Sequence, residues 1–106
     1  MRIAIIGQQD FGEAVLEAML ARGDSVAGVF CAPEQPGAKA DPLRSAAEQH
    51  SVPVYQLASL KTEQALQALR ALKVELGVMA YVLQFVPQTF ATVPEHGMIQ
   101  YHPSLL

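Results

Sequence analysis

RIAIIGQQDFGE, residues 2–13, is the stretch whose reading decides the fold. Arg2 to Ile6 is a short β-branched apolar run with no polar alternation, the pattern of a parallel strand covered on both faces. Gly7 closes it. Asp10 then offers a carboxylate to the unpaired amides of a first helical turn, and Glu13, three residues on, completes the spacing of a capping box. Phe11, Val15, Ala18 and Met19 follow at helical spacing, which gives the helix an apolar face to lay on a sheet, and Gly23 stops it. A buried strand that turns directly into an amphipathic helix is the opening unit of a layered α/β domain.

The same alternation continues outward. SVAGVFC, Ser25 to Cys31, reads as a second buried strand, and APEQPGAKA after it is a loop punctuated by two prolines and a glycine. Asp41 and Pro42 are an N-cap and first-position proline, predicting a short helix over Leu43 to Gln49. Val52 to Tyr55 reads as a third strand. Ala65, Leu66, Leu69 and Leu72 mark an amphipathic helix between about Leu60 and Lys73, and LGVMA, Leu76 to Ala80, is a fourth strand. Pro87 is suited to open a helical turn, and Gly97 to Gln100 is a fifth strand leading into YHPSLL. The order implies one Rossmann-like α/β domain of three layers, with a mainly parallel sheet and right-handed crossovers.

Composition narrows the function. With 106 residues, 51% of them hydrophobic, the chain holds material for a single core. Its net charge of −3 provides no basic field to gather phosphates, so direct nucleic-acid binding by this segment is not expected. One cysteine, Cys31, forms no internal disulfide, and no Cys/His spacing suits a metal, so a reduced, metal-free cytoplasmic protein is the expectation. The apolar start is too short for a signal-peptide core, and no run approaches the ~20 residues of a membrane span.

The turn GQQDFG is not a dinucleotide fingerprint. G-x-G-x-x-G requires a second glycine where Gln9 stands, so that the backbone approaches the pyrophosphate, and the acid expected at the end of strand two is replaced by Cys31, Ala32 and Pro33. No NAD is therefore expected on this segment. Cys31 reads as a small buried hydrophobe rather than a nucleophile, because no base is arranged near it in sequence. Among the histidines, His50 ends a helix, where capping is the ordinary role, and His96 lies in a turn. His102 is singled out because it follows a buried strand directly and precedes Pro103, at the carboxyl end of the sheet where doubly wound folds place ligands.

YHPSLL, together with AYVLQFVP upstream and AKADPL after strand two, resembles the folate-dependent formyltransferase family. The resemblance spans the chain from MRIAIIGQQDFG onward and is nearest to the N-terminal hydrolase domains of 10-formyltetrahydrofolate dehydrogenases, with methionyl-tRNA formyltransferases more distant. It implies that residues 1–106 are the N-terminal portion of a formyltransferase catalytic domain, ending before a catalytic aspartate, with further domains possible downstream. This stretch alone would then be inactive. The donor implied is 10-formyltetrahydrofolate, and the formyl acceptor is left open.

The resemblance gives His102 the work of assisting acyl transfer, which requires a group of near-neutral pKa and a donor for the oxyanion of a tetrahedral intermediate. Gln100 stands where methionyl-tRNA formyltransferases carry an oxyanion-holding asparagine and is a second candidate. Ala80, Tyr81, Leu83, Gln84 and Phe85 match the segment that houses the pterin in that family; they offer apolar faces and edge hydrogen bonds, with ordinary core as the alternative reading for Leu83 and Phe85. Two other readings stay open: a methionyl-tRNA or sugar-nucleotide formyltransferase, and a non-catalytic Rossmann-like binding module.

Overall fold

The computed structural model describes residues 1–101. Five strands form one parallel sheet: β1 (Arg2–Gly7), β2 (Ser25–Cys31), β3 (Val54–Gln56), β4 (Leu76–Ala80) and β5 (Met98–Tyr101), in the order β3-β2-β1-β4-β5. Helices α1 (Gln9–Ala21), α2 (Pro42–Gln49), α3 (Glu63–Leu72) and the single turn α4 (Gln88–Ala91) occupy the connections.

The period-2 geometry of β1 explains the three layers. Ile3 and Ile5 face one side, where Val15, Leu16 and Met19 of α1 and Leu43, Ala46 and Ala47 of α2 cover them. Ala4 and Ile6 face the other, against Leu69 and Leu72 of α3 and Phe90 of α4. A strand packed on both faces has no polar face to show, which is why RIAIIG reads as an unbroken apolar run. Phe30 anchors the second core, stacked on Tyr55 at 4.9 Å and edge-on to Phe90 at 5.4 Å.

β2, α2 and β4 keep their expected bounds, apart from Pro42 joining α2. The third and fifth strands begin later than the sequence suggested, and α3 begins at Glu63 under a Thr62 cap whose hydroxyl accepts from the Ala65 N–H at 3.1 Å. The start of α1 is a correction. Gln8, not Asp10, is its N-cap and makes no side-chain cap, while Asp10 lies in the first turn. Capping comes from outside the helix: the Asp41 carboxylate accepts from the Gln9 N–H at 2.8 and 3.1 Å. Gly23 does end the helix, at φ +91°, with the Gly23 and Asp24 amides returning to Leu20 and Met19 carbonyls.

Gly7 is required by the closeness of β4. A Cβ there would lie 1.9 Å from the Ala80 carbonyl oxygen, and the next amide, Gln8 N–H, donates to that same oxygen at 3.2 Å. Because the obstacle is backbone in mid-sheet, it has nowhere to retreat. Gly7→Ala is expected to destabilise the fold by about 3 kcal/mol or more, read as a lower urea midpoint at unchanged slope; a loss below about 1 kcal/mol would show that β1 and β4 separate easily.

Candidate functional site

The strand order turns at β1. From β1 the chain winds outward through β2 and β3 and then returns to place β4 and β5 on the other side. α1, which leaves β1, packs on one face, and α4, which follows β4, packs on the opposite face. Between two such diverging connections the carboxyl ends of the strands open into a crevice, the switch point at which open α/β sheets bind ligands. A cavity of about 630 Å³ lies there. Its walls come from the β1–α1 turn (Gln8, Gln9), the β2–α2 loop (notably Glu34, Lys39 and Asp41) and Leu83 and Gln84 beyond β4.

The first wall is set by an unusual backbone. Gln9 takes φ +67°, the left-handed conformation that glycine adopts most cheaply, at the position where a dinucleotide fingerprint would have glycine. The Asp41 carboxylate, 8% exposed, holds it there and also accepts from the Leu43 N–H at 2.9 Å, so one side chain caps α1 and α2 together.

Glu34 ties the second wall. It accepts from the Asp41 N–H at 2.8 Å and from the Gln56 amide at 2.9 Å, and pairs with Arg44 at 3.1 Å. The loop 35–40 is thus closed at its base by a Glu34–Asp41 hydrogen bond. The Asp41 N–H first, then Gln56, with Arg44 adding to them, hold the Glu34 carboxyl down at about 2. Both acids of the lining are therefore engaged by the protein itself. Cys31 lies beneath them, buried, its thiol pushed up to about 12 by burial and by the Asp41 and Glu34 charges, so it is a poor nucleophile as the sequence suggested.

The third wall is the segment that follows β4 from Tyr81 onward. Tyr81 follows β4 at φ +57°, a strained conformation for an aromatic residue, and strain of this kind collects at functional sites. From there side chains alternate: Tyr81, Leu83 and Phe85 are exposed, whereas Val82 and Val86 pack on the α3-side core and Gln84 donates to the Leu57 carbonyl at 2.6 Å. Leu83 and Phe85 are 65% and 66% exposed, which removes the core reading weighed for them. Lys61 Nζ lies 5.2 Å over the Phe85 ring. Ala80 is buried, and its carbonyl is the one engaged by Gln8.

Gln100 is exposed on β5, in register with Met79, and Tyr101 with Ala80, so the fifth strand ends beside the loop that begins at Tyr81. His102 lies outside the described residues. Gln8, Gln9 and Lys39 were not singled out from the sequence, and Asp41 was read only as the cap of α2. The glycine position of the fingerprint, filled by Gln9, was the available signal for the first two; nothing local announces that Asp41 reaches across 32 residues.

Fold and cavity define a doubly wound α/β protein with a cavity at its switch point. A family model described as formyl transferase matches residues 1–106, and the chain belongs to that family. It is similar to cytosolic 10-formyltetrahydrofolate dehydrogenase of Xenopus tropicalis, 39% identical over 100% of this chain and 12% of that protein, and to the human cytosolic enzyme, 42% identical over the same shares. Methionyl-tRNA formyltransferase of Magnetococcus marinus is 37% identical over 99% of this chain and 35% of its own length. The chain therefore spans about 12% of the dehydrogenases it matches. Phosphoribosylglycinamide formyltransferase of Bacillus halodurans shares the fold, with a TM-score of 0.73 at 20% identity over 97% of this chain and 56% of that one.

Because folding lowers the Glu34 pKa from 4.5 to about 2, its ionised form stabilises the fold above pH 4.5, and that contribution fades as pH falls from 4.5 toward 2. Glu34→Gln is expected to flatten the acid limb of a stability-versus-pH curve in that window. A limb of unchanged steepness in the variant would place the acid sensitivity elsewhere.

Proposed function

We propose that this chain is the folate-binding, amino-terminal part of a catalytic domain that takes the formyl group of 10-formyltetrahydrofolate, for transfer or for hydrolysis. The observation that carries the reading is end-to-end similarity to 10-formyltetrahydrofolate dehydrogenases at 39–42% identity, across every segment that lines the cavity. The exposed apolar side chains of Tyr81, Leu83 and Phe85 support it, since three large apolar groups held out after β4 suit the faces of a pterin.

In the chemistry proposed, the acceptor's oxygen or nitrogen adds to the formyl carbon and the carbonyl becomes an oxyanion. The intermediate then collapses with cleavage of the N10–carbon bond. The acceptor's proton passes through a general base to N10 of the departing tetrahydrofolate. His102 is assigned the proton transfer and the Gln100 amide the oxyanion, with an aspartate from elsewhere in the whole protein as partner of the imidazole. Transfer to methionyl-tRNA is the weaker reading, because the net charge of −3 gives this segment no means of holding a polyanion.

In the whole protein, His102→Asn is expected to lower kcat about 100-fold or more, and Gln100→Ala to lower kcat by about tenfold, each with folate affinity within about threefold of the parent. Deformylation of 10-formyltetrahydrofolate and equilibrium folate binding measure the two effects. Unchanged kcat in His102→Asn would remove the imidazole from the mechanism.

A further inference from the structure

The N-terminus of a helix is a ready anion site, because unpaired amides and the dipole both favour negative charge, and at the first βα turn of open α/β folds this is where a ligand's phosphate sits. Here that place is taken by the protein. The Asp41 carboxylate lies on the Gln9 N–H at 2.8 and 3.1 Å, is 8% exposed, and is anchored on its other side by the Leu43 N–H. It faces the same cavity as Glu34, whose charge is paired by Arg44 at 3.1 Å, so Asp41 is the carboxylate of that wall with no side-chain cation on it, and Lys39 is exposed. Gln8 lines the cavity as well, 8% exposed, and among the described residues its side-chain amide makes no hydrogen bond. A buried neutral amide with hydrogen-bonding capacity to spare suits an uncharged polar group.

We infer that Asp41 is a built-in anion at the head of α1 that bars phosphorylated formyl acceptors from this cavity, and that Gln8 presents the site to an uncharged nucleophile, water among them. The inference rests on the formyl-transfer reading for the word acceptor, but the exclusion of anions is a property of the cavity alone. An anion brought close to this carboxylate meets its charge in a partly buried setting, where repulsion weakens binding by about tenfold or more. The same contact occupies the Gln9 amide, the first of the donors that the turn would offer an anion. Selectivity therefore arises from repulsion as well as from fit.

The test is titration of the whole protein with inorganic phosphate and with ribose 5-phosphate, followed by calorimetry and by the effect of each on turnover of 10-formyltetrahydrofolate. Asp41→Ser keeps a hydroxyl cap for α2 while vacating the Gln9 amide, and Asp41→Asn removes the charge but keeps the shape; thermal melts establish that both variants fold. The parent should bind neither anion measurably at concentrations up to about 10 mM. Asp41→Ser should bind both at least about tenfold more tightly, with Asp41→Asn between, and turnover of the serine variant should become phosphate-inhibited. Phosphate binding by the parent as tight as by the variants, or no binding by either folded variant, overturns the inference. Absence of any deformylation by the parent would instead count against the formyl-transfer reading and leave the binding comparison to stand by itself.

Discussion

Asp41 accepts hydrogen bonds from the first turns of two helices at once, and the geometry of the cavity follows from that constraint. The Asp41 side chain lies on the Gln9 N–H, where the chain takes a left-handed backbone at the turn between β1 and α1. The carboxylate also brings the β2–α2 loop against the β1–α1 turn, while Glu34, accepting from the Asp41 N–H, closes that loop at its base. The third wall is fixed by a separate close approach, Gly7 against Ala80, which aligns the start of the Tyr81 segment with the same crevice. Two short-range backbone requirements thus shape three loops around one space.

The arrangement is economical in charge. Of the two carboxylates that line the cavity, Glu34 is paired with Arg44, while Asp41 is held by neutral backbone amides that fix its charge in place. Away from Asp41 the lining is mainly amide and apolar surface, suited to a flat, partly apolar heterocycle with hydrogen-bonding edges. The exposed trio Tyr81, Leu83 and Phe85 extends that surface beyond the cavity mouth.

Much of this was legible in the residues. The unbroken apolar runs of β1, β2 and β4 announced strands buried on both faces, and Asp41-Pro42 announced α2, because those signals are local and strong. The start of α1 was misread for a physical reason: Asp10 and Glu13 have the right spacing for a capping box, but a carboxylate from 32 positions away reached the helix first, and no local pattern encodes such a contact. Exposure of Leu83 and Phe85 was likewise undecidable from composition, since large apolar residues are more often buried; only the alternation imposed by Val82 and Val86 packing inward turns them out. The motif around His102 was the clearest sign of family, and it lies outside the described residues.

The central claim is that the crevice between the Gly7 turn, the Asp41 loop and the Tyr81 segment receives the folate. Hydrogen–deuterium exchange of the whole protein, with and without tetrahydrofolate, addresses it most directly. The account predicts slowed exchange in peptides covering residues 80–87 and 7–12, with peptides covering α3 unaffected. Unaltered exchange across residues 80–87 at saturating folate would contradict it.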